Sequence, residues 1–126
     1  MKQEHALGRA ASGTAANVDF SGVWINELQS KVTLVQTGNR LAGTYESAVS
    51  GTGKKTLGDL QGYVNGDLIS FVVRWGDFQA ITTWVGQLNP KYGVQTIDTL
   101  WQMTKQVEVG GEWASINAGA DYFTRP

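Results

Sequence analysis

What most limits the fold of this chain is how little room lies between its apolar runs. SGVWINEL (21–28) is separated from KVTLVQ (31–36) only by Gln29 and Ser30. TGN (37–39) leads to RLAGTYESAV (40–49), and the glycine-rich SGTGKK (50–55) leads to LGDLQGYV (57–64). Asn65-Gly66, a strong hairpin signal, opens onto DLISFVVRW (67–75). GDF (76–78) precedes AITTWVGQLN (80–89), and NPKYG (89–93) precedes VQTIDTLWQMT (94–104). None of these connections has room for a helix. The longer KQVEVGGEWASINAG (105–119) holds at most a helical turn near Gly111–Ile116, before a last run, ADYFTR (120–125). The pattern predicts an all-β protein, an eight-stranded antiparallel up-and-down meander. Closing it into a β-barrel removes the exposed edges. A barrel of that size is filled by side chains or holds one small ligand.

Composition agrees with strands and tight turns, with 16 glycines, two prolines and five tryptophans in 126 residues. That length allows one domain with a real core. Residues 1–19 are small and polar without periodicity and read as a flexible N-terminal arm, leaving 20–126 for the barrel. The arm has no apolar h-region, so a secretion signal is not expected within it. The net charge of −1 comes from scattered acids and bases. No basic stripe or polybasic patch points to nucleic acid or a membrane surface, and no apolar run is long enough to span a bilayer. There is no cysteine, and the single histidine, His5, lies in the arm. A histidine triad, a histidine metal cluster and thiol chemistry are therefore not expected.

Alternation gives each run an inner face. The first contributes Trp24, Asn26, Leu28 and, just beyond, Ser30; the third contributes Leu41, Gly43, Tyr45, Ser47 and Val49. The fifth brings Ile69, Phe71, Val73 and Trp75, the sixth Thr82, Trp84, Gly86 and Leu88, and the seventh Thr99, Trp101 and Met103. Lys31, Glu46, Arg74, Gln87, Asp98 and Gln102 fall on the opposite faces. The inner set is divided. One end is aliphatic with Phe71; the other gathers Trp75, Trp84 and Trp101 with Asn26, Ser30, Tyr45, Ser47 and Thr82. Each polar group left unpaired in a core costs about 1–3 kcal/mol. Any one of them can be satisfied by its neighbours or by buried water. As a group at one mouth, they describe aromatic walls with convergent neutral polar groups, a small-molecule pocket. Ser30, Tyr45 and Asn26 can donate to one carbonyl-type oxygen, while Ser47, Thr82 and a carboxylate can accept from N–H groups. No lysine or arginine points inward, which weighs against a phosphate.

The segments GVWINELQS, GTYESAV, VVRW, ITTWVGQL, TLWQMT and GEWASINAGADYFTR, in this order over residues 20–125, resemble the avidin/streptavidin family of biotin-binding proteins. The resemblance implies high-affinity binding of biotin at the open end of the barrel, without catalysis and without a cofactor or metal. By position it implies that Asn26, Ser30 and Tyr45 donate to the ureido oxygen. Ser47 and Asp121 would meet the ureido nitrogens, and Thr82 the thioether sulfur. Trp75, Trp84 and Trp101 form the aromatic box, with Leu28, Val49 and Met103 as apolar lining. Trp113 would enter a neighbouring subunit's site. Gln29 stands where the family has glycine, and Ala80 where its streptavidin branch has a serine that helps hold the ligand's carboxylate. That end of the ligand would then rest on the loop, through Ser50 and Gly51. Trp113 together with the absence of cysteine implies a homotetramer rather than the family's dimeric branch. The resemblance also implies a secreted or periplasmic protein.

Two other classes compete. A lipocalin-like carrier of another small apolar ligand would have a C-terminal helix, and a fatty-acid-binding-like one a helical pair after its first strand. A glycosidase needs two carboxylates across one pocket, and only Asp121 is a good inward candidate. From the residues alone, Asp121 reads as a surface group at the start of the last strand, and for Trp113 ordinary packing on its own barrel stays as open as any other use.

Overall fold

The computed structural model describes residues 1–11, 16–48, 54–89 and 93–126 in full, and the backbone alone at 90–91. Eight strands follow in sequence: β1 (Gly22–Asn26), β2 (Lys31–Thr37), β3 (Arg40–Ser47), β4 (Thr56–Asn65), β5 (Leu68–Trp75), β6 (Ala80–Lys91), β7 (Val94–Lys105) and β8 (Ile116–Thr124). Each pairs antiparallel with the next, and β8 returns to β1 through Ile25↔Thr124 and Asn26↔Phe123, closing the barrel. The up-and-down β-barrel expected from the turn spacing is therefore the fold. A one-turn 3₁₀ helix (Glu112–Ala114) interrupts the β7–β8 connection where a helical turn was expected. A five-residue helix, α1 (Gln3–Leu7), lies in the N-terminal segment, which the sequence pattern did not indicate.

Alternation is clearest in β4, where Thr56, Gly58, Leu60 and Val64 are buried between exposed neighbours. Trp24, Val32, Leu34, Leu41, Leu60, Ile69, Phe71, Val73, Ile97 and Phe123 fill the barrel. Each such large apolar side chain contributes about 1.5–3 kcal/mol through burial. Phe20, just before β1, is fully buried, and its carbonyl accepts the Trp24 indole N–H at 2.9 Å. Val18 also packs on this core, and its N–H donates to Gly66 O at 3.2 Å. The Arg125 guanidinium lies 4.4 Å from the Trp24 ring and donates to Ser21 O and Asp19 O, fastening the end of the chain to the start of β1.

Two strands exceed their expected length. β6 runs through Pro90 to Lys91, so the turn expected at 89–93 is shorter. β8 begins at Ile116, not near Ala120, because it pairs with β7 from Thr104↔Ile116 onward. Gly119 sits opposite Trp101 in that ladder, and a Cβ there would lie 2.5 Å from the indole Cζ2. The glycine gives the ring its bed.

Candidate functional site

Asn26 ends β1 and is buried. Its side-chain Oδ1 accepts from the N–H of Leu28 at 3.0 Å and of Ser30 at 2.9 Å. Only the carbonyl end of an amide can accept two N–H groups. The orientation is thereby set, and Nδ2 points to Tyr45, donating to its hydroxyl at 3.1 Å. The turn that achieves this passes through Gln29 at φ 68°, the left-handed region where glycine is favoured. Ser30 is buried; its hydroxyl oxygen accepts from Ala48 N–H at 3.1 Å and is also hydrogen-bonded with Tyr45. Asn26, Ser30 and Tyr45 thus meet around one point, each with a hydrogen it can offer. Burial, and then the charge of Asp121, pushes the Tyr45 hydroxyl well above the ordinary phenol range, so it stays a donor.

The aromatic side chains form a continuous wall. Tyr45 stacks on Trp84 with centroids 4.8 Å apart and planes 19° from parallel, and meets Trp75 edge-on at 5.2 Å. Phe71 stacks on Trp84 at 5.2 Å, joining this wall to the core. Both indole N–H groups have partners: Trp75 donates to the Thr82 hydroxyl at 2.9 Å, and Trp84 to Asp121 Oδ2 at 2.9 Å. Thr82 is buried and keeps its own hydroxyl hydrogen for another acceptor. Trp101 is half-buried on β7, paired with Trp84.

Asp121 lies on β8 opposite Thr99, whose hydroxyl donates to Asp121 O at 2.9 Å. It is half-buried, not the surface residue that its local sequence suggests. Burial first, and then a hydrogen bond with the Glu27 carboxyl, hold its pKa up to about 6 against the pull of the Trp84 N–H. Thr99 was expected on the inner face but not as a partner of Asp121, and Glu27 was not expected at the site at all. Nothing in the alternation pattern marks a turn residue as the neighbour of a strand 95 positions away, yet Tyr122 N–H donates to Glu27 Oε2 at 3.1 Å.

A cavity of about 670 Å³ opens at the same end, lined by Ser47, Thr56, Trp75, Phe78, Ala80, Met103 and Lys105 among others. Thr56, Phe78 and Lys105 are additions to the residues expected there. Leu28 lies in the β1–β2 turn rather than on the inner face, and is 59% exposed. Val49, Ser50 and Gly51 lie outside the described residues. Trp113, on the 3₁₀ helix, is 88% exposed and so does not pack on its own barrel. The helix stands at this mouth, since Lys105 N–H at the end of β7 donates to Ser115 O at 2.9 Å. Among the described residues no group of histidine, cysteine, aspartate or glutamate is arranged to hold a metal ion.

Fold and site together define a closed up-and-down barrel whose mouth is polar at its floor and aromatic at its walls. Comparison with known proteins places it more closely. The family model described as the Avidin family matches residues 14–126, and the chain belongs to that family. Among solved structures it is similar to xenavidin, with 28% identity, a TM-score of 0.77, and coverage of 87% of this chain and 99% of that one. It is also similar to AVR2, with 27% identity, a TM-score of 0.74, and coverage of 89% and 98%. No curated protein sequence matches.

Proposed function

We propose that this chain binds biotin without catalysis, one molecule per barrel mouth. The observation that carries the reading is the fixed amide of Asn26. With Oδ1 held by two backbone N–H groups, Nδ2 can only be a donor toward the barrel, beside Ser30 and Tyr45. That arrangement suits a ureido oxygen. Asp121 and Ser47 would accept from the two ureido N–H groups, and the Thr82 hydroxyl would donate toward the thioether sulfur. Trp75, Trp84 and Trp101 would enclose the apolar body, with Met103 and Ala80 toward the ligand's tail. Family membership supports the same ligand.

A hydrolytic reading finds less support. Cleavage of a glycosidic bond needs a second carboxylate across the pocket from Asp121, and Glu27, which influences Asp121, is an exposed turn residue whose Oε2 accepts from Tyr122 N–H.

The exposed apolar outer face supports self-association, and a homotetramer is the form we propose. Val85 is 60% and Leu100 69% exposed, and the two are paired across β6 and β7. Apolar patches of that kind mark interaction surfaces. Trp113 would cap a neighbouring subunit's site. Secretion is proposed on family membership alone; among the described residues no helix is long and apolar enough to cross a membrane.

Thermal melting with and without biotin tests the binding reading. A ligand that binds only the folded state adds about 4 kcal/mol at a thousandfold excess over Kd. A large upward shift is expected. An unchanged Tm at saturating biotin refutes the assignment.

A further inference from the structure

The row of inner-face residues on β7 does not end at Met103. Thr99, Trp101 and Met103 alternate inward, and Lys105 stands next in that row, at the rim of the mouth. The ladder agrees: Trp84 pairs with Trp101, Thr82 with Met103 and Ala80 with Lys105. The backbone there is held from both sides, because Lys105 N–H donates to Ser115 O and Gln106 N–H to Gln79 O, each at 2.9 Å. The direction of the Lys105 side chain is thereby set, and the residue lines the cavity of about 670 Å³ with Ser47, Trp75, Ala80 and Met103. Ala80 beside it carries a methyl and no donor. Sequence reasoning placed no cation on an inner face, and Lys105 is the exception. Several other cations of the barrel are engaged: Lys31 and Lys55 with Glu46, Arg74 with Asp59, and Arg40 over the Tyr63 ring. Asp77 also borders the cavity, but among the described residues no ion pair joins it to Lys105.

We propose that Lys105 is a specificity-determining residue: its ammonium selects ligands whose tail ends in a free carboxylate over those in which that carboxyl is capped as an amide or ester. This deepens the biotin reading and rests on it, since a ring seated at Asn26 and a tail passing Ala80 and Met103 bring the tail's end to Lys105. A hydroxyl at position 80 would donate to a carboxylate and to an amide carbonyl alike. An ammonium adds a full charge, and a neutral carbonyl does not match a carboxylate's attraction for it. The lysine stem is flexible and the rim is open to water. The preference therefore has the size of an exposed ion pair, about fivefold at its upper end, and salt screens it. A mouth so built takes free biotin in preference to biotin joined to an amine.

The test is competition between biotin and biotinamide at neutral pH on the parent, Lys105→Gln and Lys105→Arg. Equilibrium is approached from either ligand bound first, and the bound ratio is read by mass spectrometry after release, so it is measurable however tight the binding. Lys105 is exposed, so neither variant disturbs the core. Lys105→Gln keeps a donor without the charge, and its biotin-to-biotinamide ratio should fall about three- to fivefold. Lys105→Arg should stay within about twofold of the parent, and the parent's ratio should shrink as salt is raised from about 0.05 M to 0.5 M. Arg40→Gln removes the same charge from the β2–β3 end of the barrel and should keep the parent's ratio. An unchanged ratio in Lys105→Gln, or an equal fall in Lys105→Arg or Arg40→Gln, overturns the proposal and leaves the biotin reading intact. Failure of the parent to bind either ligand overturns the biotin reading and this proposal with it.

Discussion

Replacing Asn26 by alanine separates two jobs that one side chain performs. Its Oδ1 holds the β1–β2 turn through Leu28 and Ser30 N–H, and its Nδ2 supplies a donor at Tyr45. In Asn26→Ala the exposed Leu28 N–H finds water. Ser30 is buried, and its N–H is left without a partner at about 1–3 kcal/mol. The lost bond to the buried Tyr45 hydroxyl adds roughly 1 kcal/mol. The total, about 2–4 kcal/mol, corresponds to a fall in Tm of roughly 8–16 °C for a domain of this size. Tyr45→Phe is the comparison. It keeps the stacking on Trp84 and the edge contact with Trp75, and leaves the turn intact. It should cost only about 1–2 kcal/mol of stability. Each variant takes one donor from the ligand's oxygen, so each should weaken biotin by about 10–100-fold. The assays are thermal melting at equal protomer concentration, since association shifts Tm, and biotin titration of each folded variant. If Asn26→Ala melts within about 2 °C of the parent, the turn-anchoring argument is wrong.

Gln29→Gly should raise Tm. A side chain at φ 68° costs about 1–2 kcal/mol, partly offset by glycine's greater freedom when unfolded, for a net gain of about 0.5–1 kcal/mol; a lower Tm refutes this. Gly119→Ala should weaken biotin and destabilise the fold by about 1–3 kcal/mol, because its Cβ would displace the Trp101 ring; near-ultraviolet circular dichroism and melting report both effects. Trp113→Ala should speed biotin release and reduce the ligand's strengthening of the assembly, whereas Trp101→Ala should weaken binding without the second effect. Off-rates and thermal dissociation with and without biotin distinguish them, and an unchanged off-rate in Trp113→Ala rules out the shared cap.

The barrel was legible because β2 to β7 each carry their own alternation and their own turn residues. Leu41 and Tyr45, or Phe71 and Val73, announce an inner face without help from the rest of the chain. The start of β8 was not legible. Asn117, Ala118, Gly119 and Ala120 bury little of themselves, and their strand exists through pairing with β7. The site was legible as a chemical inventory: Asn26, Tyr45 and Thr82 are buried as alternation expected, and the tryptophans stand beside them. Orientation was not. Which way the Asn26 amide faces depends on backbone N–H groups in the following turn, and the proton affinity of Asp121 depends on a turn residue at the other end of the chain. Alternation says which face a side chain takes, but a contact made across the barrel's closure leaves no periodic trace. Leu28 shows the converse limit: the period was extended past Asn26, but the strand stops there, so Leu28 falls in the turn and is not buried.

The central claim is that this mouth is built for a ring with one carbonyl oxygen between two N–H groups. Direct titration of the protein with biotin in a calorimeter, alongside a fatty acid and a neutral sugar at the same concentration, tests it most directly. The account predicts saturable binding of one biotin per chain, with neither of the others producing a comparable signal. No binding of biotin, or a fatty acid bound as tightly, would contradict it.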